Sequence, residues 1–183
     1  VQPEIQFVMD RKADCSVALT ALREGKLPLR VTHNDTKLNN VLIDEETQEG
    51  ICIIDLDTTM PGLSIYDFGD SIRFGANHSA EDEKDLSKVN FDIELYRIYT
   101  RGFLEGAAGG LTDAELEYLP WGAKLMTLEC GIRFLTDYLD GDNYFHIRYA
   151  DQNLDRTRTQ FKLVSDMEQQ WDEMHAIVRE IAG

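Results

Sequence analysis

The stretch His33-Asn34-Asp35-Thr36-Lys37-Leu38-Asn39-Asn40, with Asp55 closing the apolar run Ile51-Cys52-Ile53-Ile54, gathers side chains of the types that phosphoryl transfer to a hydroxyl demands. That chemistry needs an acceptor for the hydroxyl proton, a divalent ion on the phosphates, and an in-line arrangement of the two. Asp35 offers a carboxylate as acceptor. Asn40 and Asp55 offer an amide and a carboxylate oxygen, the hard ligands that suit Mg2+. Lys37, two residues past Asp35, offers a positive charge for the transferring group.

The order His-x-Asp-x-Lys-x-x-Asn resembles the protein-kinase catalytic loop H-R-D-x-x-x-x-N, in which the Asp meets the substrate hydroxyl and the Asn binds magnesium. Asp55 lies far along the chain, so a local fold must return it to the loop. Val41-Leu42-Ile43, the hydrophilic turn from Asp44 to Gly50, and Ile51-Cys52-Ile53-Ile54 read as a β-hairpin bordered by the loop. Residues paired across a turn centred there have numbers summing to about 95, which sets Asn40 opposite Asp55.

Each residue also has a plainer reading. His33, Asp35 and Asn40 are ordinary turn residues at a strand end, Lys37 a solvated charge, and Asp55 a hairpin-end acid capping a backbone donor. Their order together with the hairpin favours the chemical reading. A rival starts from Ile53-Ile54-Asp55-Leu56-Asp57-Thr58, which fits the h-h-D-x-D-x-T signature of haloacid-dehalogenase-like phosphatases, with Asp55 as nucleophile and Asp57 as acid. That fold needs strands alternating with helices after this point, and the strand signal instead fades from Tyr66 onward.

The elements around the loop are mostly helical. Ile5, Val8, Cys15, Leu19 and Leu22 recur at helical spacing after Pro3, which reads as one amphipathic helix ended by Gly25 and Pro28. A helix from Glu94 to Leu104 stops near Gly109-Gly110. Thr112-Asp113-Ala114-Glu115 has the spacing of a capping box, Pro120 reads as a restart of the helix, and an apolar stripe from Leu125 to Leu139 runs to Gly141. Phe161, Val164, Trp171, Met174 and Val178 mark one long final helix, in which Met167, Trp171 and Met174 read as core. The expected fold class is mainly α with a short β-hairpin.

Composition narrows the partners. The 183 residues, 43% of them hydrophobic, suffice for a real core, and 18 Lys and Arg against 34 Asp and Glu give a formal charge of -16. Such a surface repels phosphate backbones and anionic membranes, so neither nucleic acid nor membrane is expected as a partner. Cys15, Cys52 and Cys130 are scattered, which argues for no disulfide framework and no zinc site and fits a cytoplasmic setting. No apolar run is long enough to span a bilayer.

At the loop the chain resembles the aminoglycoside and choline kinase-like phosphotransferases, whose loop reads H-[GN]-D-x-x-x-x-N before a strand ending in I-D. The resemblance implies a protein kinase-like C-terminal lobe that uses ATP and Mg2+, with Asp35 as base and Asn40 and Asp55 on the metal. It also implies that a further Asp, twelve residues past the metal Asp, anchors the catalytic loop; Asp67 in Tyr66-Asp67-Phe68-Gly69-Asp70 has that spacing, and a plain helix N-cap is compatible with it. His33 takes a structural role in the same loop. Ile54-Asp55-Leu56-Asp57-Thr58-Thr59-Met60-Pro61-Gly62, Gly131-Ile132-Arg133-Phe134-Leu135-Thr136-Asp137-Tyr138-Leu139 and Asn153-Leu154-Asp155-Arg156 are similar to the N-acetylhexosamine 1-kinase branch. That similarity implies phosphorylation of the anomeric hydroxyl of an amino sugar, with Arg133 and Tyr144 as sugar contacts. The plainer readings are a Glu129–Arg133 helix-surface pair and a loop-covering tyrosine, and Arg156 and Arg158 read as helix-surface charges. Choline, ethanolamine or aminoglycoside acceptors, or a silent binding lobe, are the alternatives. No Gly-rich strand turn or strand lysine precedes the loop, so residues 1–183 read as a helical lobe without its ATP-gripping N-terminal lobe, with little turnover expected of the piece alone.

Overall fold

The computed structural model describes residues 1–183. In chain order it forms α1 (Gln2–Asp10), α2 (Val17–Arg23), β1 (Arg30–Thr32), β2 (Val41–Ile43), β3 (Gly50–Ile53), β4 (Met60–Gly62), α3 (Ser64–Gly75), α4 (Ile93–Ala107), α5 (Asp113–Asp140), α6 (Gln152–Gln169) and α7 (Trp171–Ala182). The mainly helical reading holds. The hairpin is present as antiparallel β2–β3, with Val41 opposite Ile53 and Leu42 opposite Cys52. A second ribbon, β1–β4, was not anticipated, and it sets Arg30 opposite Gly62 and Thr32 opposite Met60. Both sheets are two-stranded and antiparallel, which removes the doubly wound architecture that the phosphatase reading requires.

Helix α3 packs chiefly on α5. Ile65, Phe68 and Ile72 on its inner face are sealed from solvent with Leu119 and Ala123 of α5, Tyr96 of α4 and Met174 and Ile177 of α7. The approach of α3 to α5 is possible only with glycine on both sides. A Cβ on Gly69 would lie 2.1 Å from the Gly122 carbonyl oxygen, and a Cβ on Gly122 would lie 2.1 Å from that of Ile65. Leu128 and Leu135 of α5 pack separately on Leu154, Phe161 and Val164 of α6.

Three helix boundaries depart from the periodicity. The first amphipathic run is broken over residues 11–16 by a turn of 3-10 helix at Asp14–Ser16. The break turns Arg11 and Asp14 inward, where Arg11 grips Glu168 through Nε and Nη2 at 2.8 and 2.6 Å, and Lys124 bonds Asp14 at 2.7 Å and Glu168 at 2.9 Å. Conversely, α5 runs unbroken through Pro120, because the proline forfeits one backbone bond while the packing of Leu119, Gly122 and Ala123 holds the axis. The final run is two helices, parted at Gln170, whose side chain donates to the Phe91 carbonyl at 3.3 Å; the break lets Trp171 meet Trp121 edge-on at 4.9 Å.

Glu115 ties the ribbon to the helices. The capping box of Thr112 and Glu115 is formed, and the same carboxylate also takes Arg30 of β1 through Nε (2.9 Å) and Nη2 (2.6 Å) and the Ser64 hydroxyl of α3 (2.7 Å). Burial raises its pKa, but these bonds outweigh burial and push it down to about 2. A carboxylate depressed in the fold stabilises fully above its unfolded value near 4.5 and loses that contribution as pH falls toward 2. Glu115→Gln should therefore lower the melting temperature at pH 7, and the gap to the unsubstituted protein should close as unfolding is followed down to pH 2. A gap that stays constant would exclude this origin. Gly122→Ala should cost about 1–3 kcal/mol in chemical denaturation, since the added methyl must push α3 off α5.

Candidate catalytic loop and acceptor pocket

The loop between β1 and β2 is held from below by α3. The backbone N–H groups of His33 and Asn34 each donate to one oxygen of the Asp67 carboxylate, both at 2.8 Å. The Thr36 hydroxyl donates to the Asp67 carbonyl at 2.6 Å, and the Ser71 hydroxyl, one turn further along α3, donates to the Thr36 carbonyl at 2.8 Å. A carboxylate in the first turn of a helix is favoured by the helix dipole, so Asp67 anchors the loop from a position that α3 itself stabilises.

His33 stitches the loop to the far end of the hairpin. Its Nε2 donates to the Ile54 carbonyl at 2.9 Å, while Nδ1 accepts the Asp35 N–H at 3.3 Å, so the ring carries its hydrogen on Nε2. Asn34 has φ 64°, a left-handed conformation that asparagine tolerates. Its amide donates to the Thr32 and Thr58 carbonyls, and the Thr58 hydroxyl donates to the His33 carbonyl at 2.6 Å. Asn34, Thr36, Thr58 and Ser71 were not foreseen as loop supports. Hydroxyl and amide residues are so common in turns that only the three-dimensional pairing singles them out.

Asp35, Lys37, Asn40 and Asp55 converge. Asp35 Oδ2 accepts the Lys37 ammonium and the Asn40 amide, each at 2.8 Å, and the Asn40 amide also donates to the Asp35 carbonyl at 2.8 Å. Asp55 is near enough to act on the Asp35 carboxyl and on the Lys37 charge. The hairpin register differs from the expectation: past an irregularity between Leu42 and Ile43, paired numbers at the loop end sum to 94, and the Ile54 N–H donates to the Asn40 carbonyl at 3.0 Å, so Asn40 faces Ile54 and not Asp55. Strand alternation would then send Asp55 to the opposite face. A left-handed φ of 66° at Asp55 interrupts that alternation, and its charge bears on Lys37 of the loop.

Burial raises the Asp35 pKa, but the bonds from Lys37 and Asn40 and the Lys37 charge more than offset it, so the net shift is downward. The Lys37 ammonium is held charged by Asp35, with Asp55 and Asp70 adding to the effect. The donor chemistry fits a hard divalent cation. Two carboxylates lie side by side, and Asn40, only 5% exposed, spends both amide hydrogens on Asp35, leaving its oxygen without a hydrogen-bond partner.

A family model described as a phosphotransferase enzyme family matches residues 6–102, more than half of the chain and the whole of this site. The chain belongs to that phosphotransferase family. A cavity of about 590 Å3 opens beside the loop, lined by Asn34 of the loop, Leu19 of α2, Tyr66 of α3 and Met126, Glu129 and Arg133 of α5 among others. Arg133 pairs loosely with Glu129 at 3.7 Å, as its spacing suggested, and its guanidinium stands 5.7 Å from the Tyr144 ring, with Nη2 3.5 Å from the Tyr144 hydroxyl. Arg133 and Tyr144 therefore meet each other, and Arg133 joins the loop through the cavity. Both lie beyond the residues that the family model matches.

Arg156 is not the surface charge its helical position suggested. It lies against the Phe134 ring at 5.3 Å and donates to the Asn153 amide oxygen at 3.0 Å. Arg158 is half-exposed and pins Glu4 of α1 at 2.7 Å. No helix is long and apolar enough to cross a membrane.

Lys37→Met removes the nearest positive charge and one hydrogen bond from Asp35, so the Asp35 pKa should rise. The acid limb of kcat/KM for the full-length protein should move to higher pH, in the direction of the ordinary aspartate range near 3.9 or above it. An acid limb that stays in place would separate Lys37 from the ionisation of Asp35.

Proposed function

We propose that the chain is the catalytic lobe of an ATP-dependent small-molecule kinase that phosphorylates the anomeric hydroxyl of an N-acetylhexosamine. The observation that carries this reading is the convergence of Asp35, Asn40 and Asp55 on one point beside a cavity that reaches Arg133. A protein kinase-like lobe is supported by the loop order, its Asp67 anchor and the helices beneath it.

In this reading the acceptor hydroxyl donates a hydrogen bond to the Asp35 carboxylate, which aims its oxygen at the γ-phosphorus. The new P–O bond forms as the bond to the β-phosphate oxygen breaks, ADP leaves, and the hydroxyl proton passes to Asp35. A low Asp35 pKa suits this sequence, because a loose transition state leaves the hydroxyl proton in place until bond formation is well advanced. Mg2+, held by Asn40 and Asp55, would neutralise phosphate charge and orient the phosphates. Lys37 stays charged beside Asp35 and opposes the negative charge that gathers on the transferred group. The exposed apolar residues Leu42, Ile43, Ile51 and Ile53 of the hairpin adjoin Asn40 and Asp55 and support a nucleotide base, and the lobe that grips it, on this side.

The sugar reading is supported by Arg133 and Tyr144, an exposed guanidinium and phenol that meet each other and whose chemistry suits hydroxyl and acetamido oxygens. A cationic alcohol is the second reading, favoured by the formal charge of -16 and by Glu129 in the cavity wall. Incubating full-length protein with ATP and Mg2+ against amino sugars, choline, ethanolamine and aminoglycosides separates the two. Asp35→Ala should lower kcat by about two to four orders of magnitude. Arg133→Ala should raise the KM for an amino sugar about tenfold while leaving the KM for ATP in place. Normal turnover by the Asp35→Ala enzyme would overturn the mechanism.

A further inference from the structure

We propose that Asp137 is a positioning residue for the acceptor-binding loop, setting the backbone of residues 143–145 so that Tyr144 and Phe145 stand against Arg133. The proposal rests on the reading of Arg133 and Tyr144 as acceptor contacts.

The chain leaves α5 at Asp140 and reverses through two left-handed residues, Gly141 (φ 94°) and Asp142 (φ 59°). Three successive backbone N–H groups then turn onto one carboxylate. Asn143 and Tyr144 donate to Asp137 Oδ1 at 2.9 and 2.8 Å, and Phe145 donates to Oδ2 at 2.9 Å. The fourth bond comes from Asn153 of α6, whose amide is shared between Asp137 Oδ2 and Asp142 Oδ1, both at 2.8 Å. Asn153 is fully buried, and its oxygen in turn accepts from Arg156. Helices α5 and α6 thus hold the loop between them.

Helix stability alone does not account for Asp137. It lies in the last turn of α5, where the carbonyl ends carry partial negative charge and a carboxylate is unfavourable. Only 6% exposed, it has also given up its water. Charge-assisted bonds to the three amides compensate both costs, so the placement is explained by what those amides hold. The amides fix the main chain of a segment whose side chains are on show. Tyr144 is 74% exposed yet meets Arg133, and the Phe145 ring lies between Phe134, tilted at 54° with centroids 4.7 Å apart, and the Arg133 guanidinium at 5.4 Å. Asp67 treats the catalytic loop in the same way, with two amides on one carboxylate. Asp137 repeats that device on the acceptor side.

Asp137→Asn keeps the shape but replaces one acceptor oxygen with an NH2 group facing the Phe145 or Tyr144 amide. In the full-length enzyme it should raise the KM for the preferred acceptor about tenfold, with kcat and the KM for ATP within about twofold. Tyr144→Ala should raise the acceptor KM similarly, and the double variant should show no further rise, because both changes remove the same contact. Hydrogen exchange reads the clamp without turnover: the amides of 143–145 should be protected in the unsubstituted protein and exchange rapidly in Asp137→Asn, while those of His33 and Asn34 stay protected. An unchanged acceptor KM despite lost protection, or fully additive effects in the double variant, would overturn the proposal. Should Asp137→Asn fail to fold, Asn153→Ala removes one bond of the four and should raise the acceptor KM a few-fold; no rise overturns the proposal equally. A wild-type protein that phosphorylates none of the acceptors sinks the kinase reading instead, and unprotected 143–145 amides in that protein would sink the clamp separately.

Discussion

The site depends on one carboxylate accepting two backbone amides. Without Asp67, the N–H groups of His33 and Asn34 have no partner in the fold, and the loop that carries Asp35 has no fixed height above α3. The anchor is only as rigid as the helix that bears it. Phe68 and Ile65, the residues flanking Tyr66 and Asp67, are wholly buried, and the Gly69–Gly122 approach locks that turn of α3 to α5 at backbone contact. Positional precision therefore starts in an apolar core and reaches Asp35 through two hydrogen bonds and one peptide unit. Glu115 serves the flanking strand, fixing Arg30 of β1 to the first residue of α3.

Charge in the loop is arranged for a task that neutral surroundings would not permit. Asp35, Asp55 and Asp70 all bear on Lys37, and a net charge of -16 deepens the negative field. Such a field repels a free polyphosphate; in the proposed reaction a bound cation would offset that repulsion, and the carboxylate and amide oxygens that would attract one are the same groups that crowd the mouth. Asp35 remains ionised through its bonds to Lys37 and Asn40 and thus stays available to a hydroxyl at neutral pH.

Much of the site was legible because its residues lie close in sequence and their spacing is fixed by local geometry. The loop order, the Asp67 offset and the Thr112–Glu115 capping box are all short-range patterns. The hairpin was legible as an element, but its register was not, because an irregularity between Leu42 and Ile43, inside the hairpin, shifts the pairing by one. Periodicity misjudged helix ends wherever tertiary contacts outweighed propensity. Lys124 and Glu168 draw Arg11 and Asp14 in and break the first helix, Trp171 folds onto Trp121 and breaks the last, and packing on α3 carries α5 through Pro120. Arg156 was misread for a related reason: the ring it lies against, Phe134, belongs to α5, and a helical wheel does not show what a neighbouring helix presents.

The unbroken α5 links the two halves of the proposed site. Its Gly122 turn is fastened to α3 beneath the catalytic loop, and Arg133 and Asp137 stand further along the same axis, about 16 Å beyond Gly122 in the case of Arg133. One rigid helix therefore sets the spacing between the group proposed to take the proton and the groups proposed to hold the acceptor. Pro120 fits this arrangement by position. It precedes Gly122, so the backbone bond it lacks falls outside the span that must stay straight, and any bend there would move both fastenings together. A proline between Gly122 and Arg133 would instead change their separation, and reach-sensitive phosphoryl transfer would register an error of about 1 Å. The length of α5 thus measures the distance between the two halves of the site.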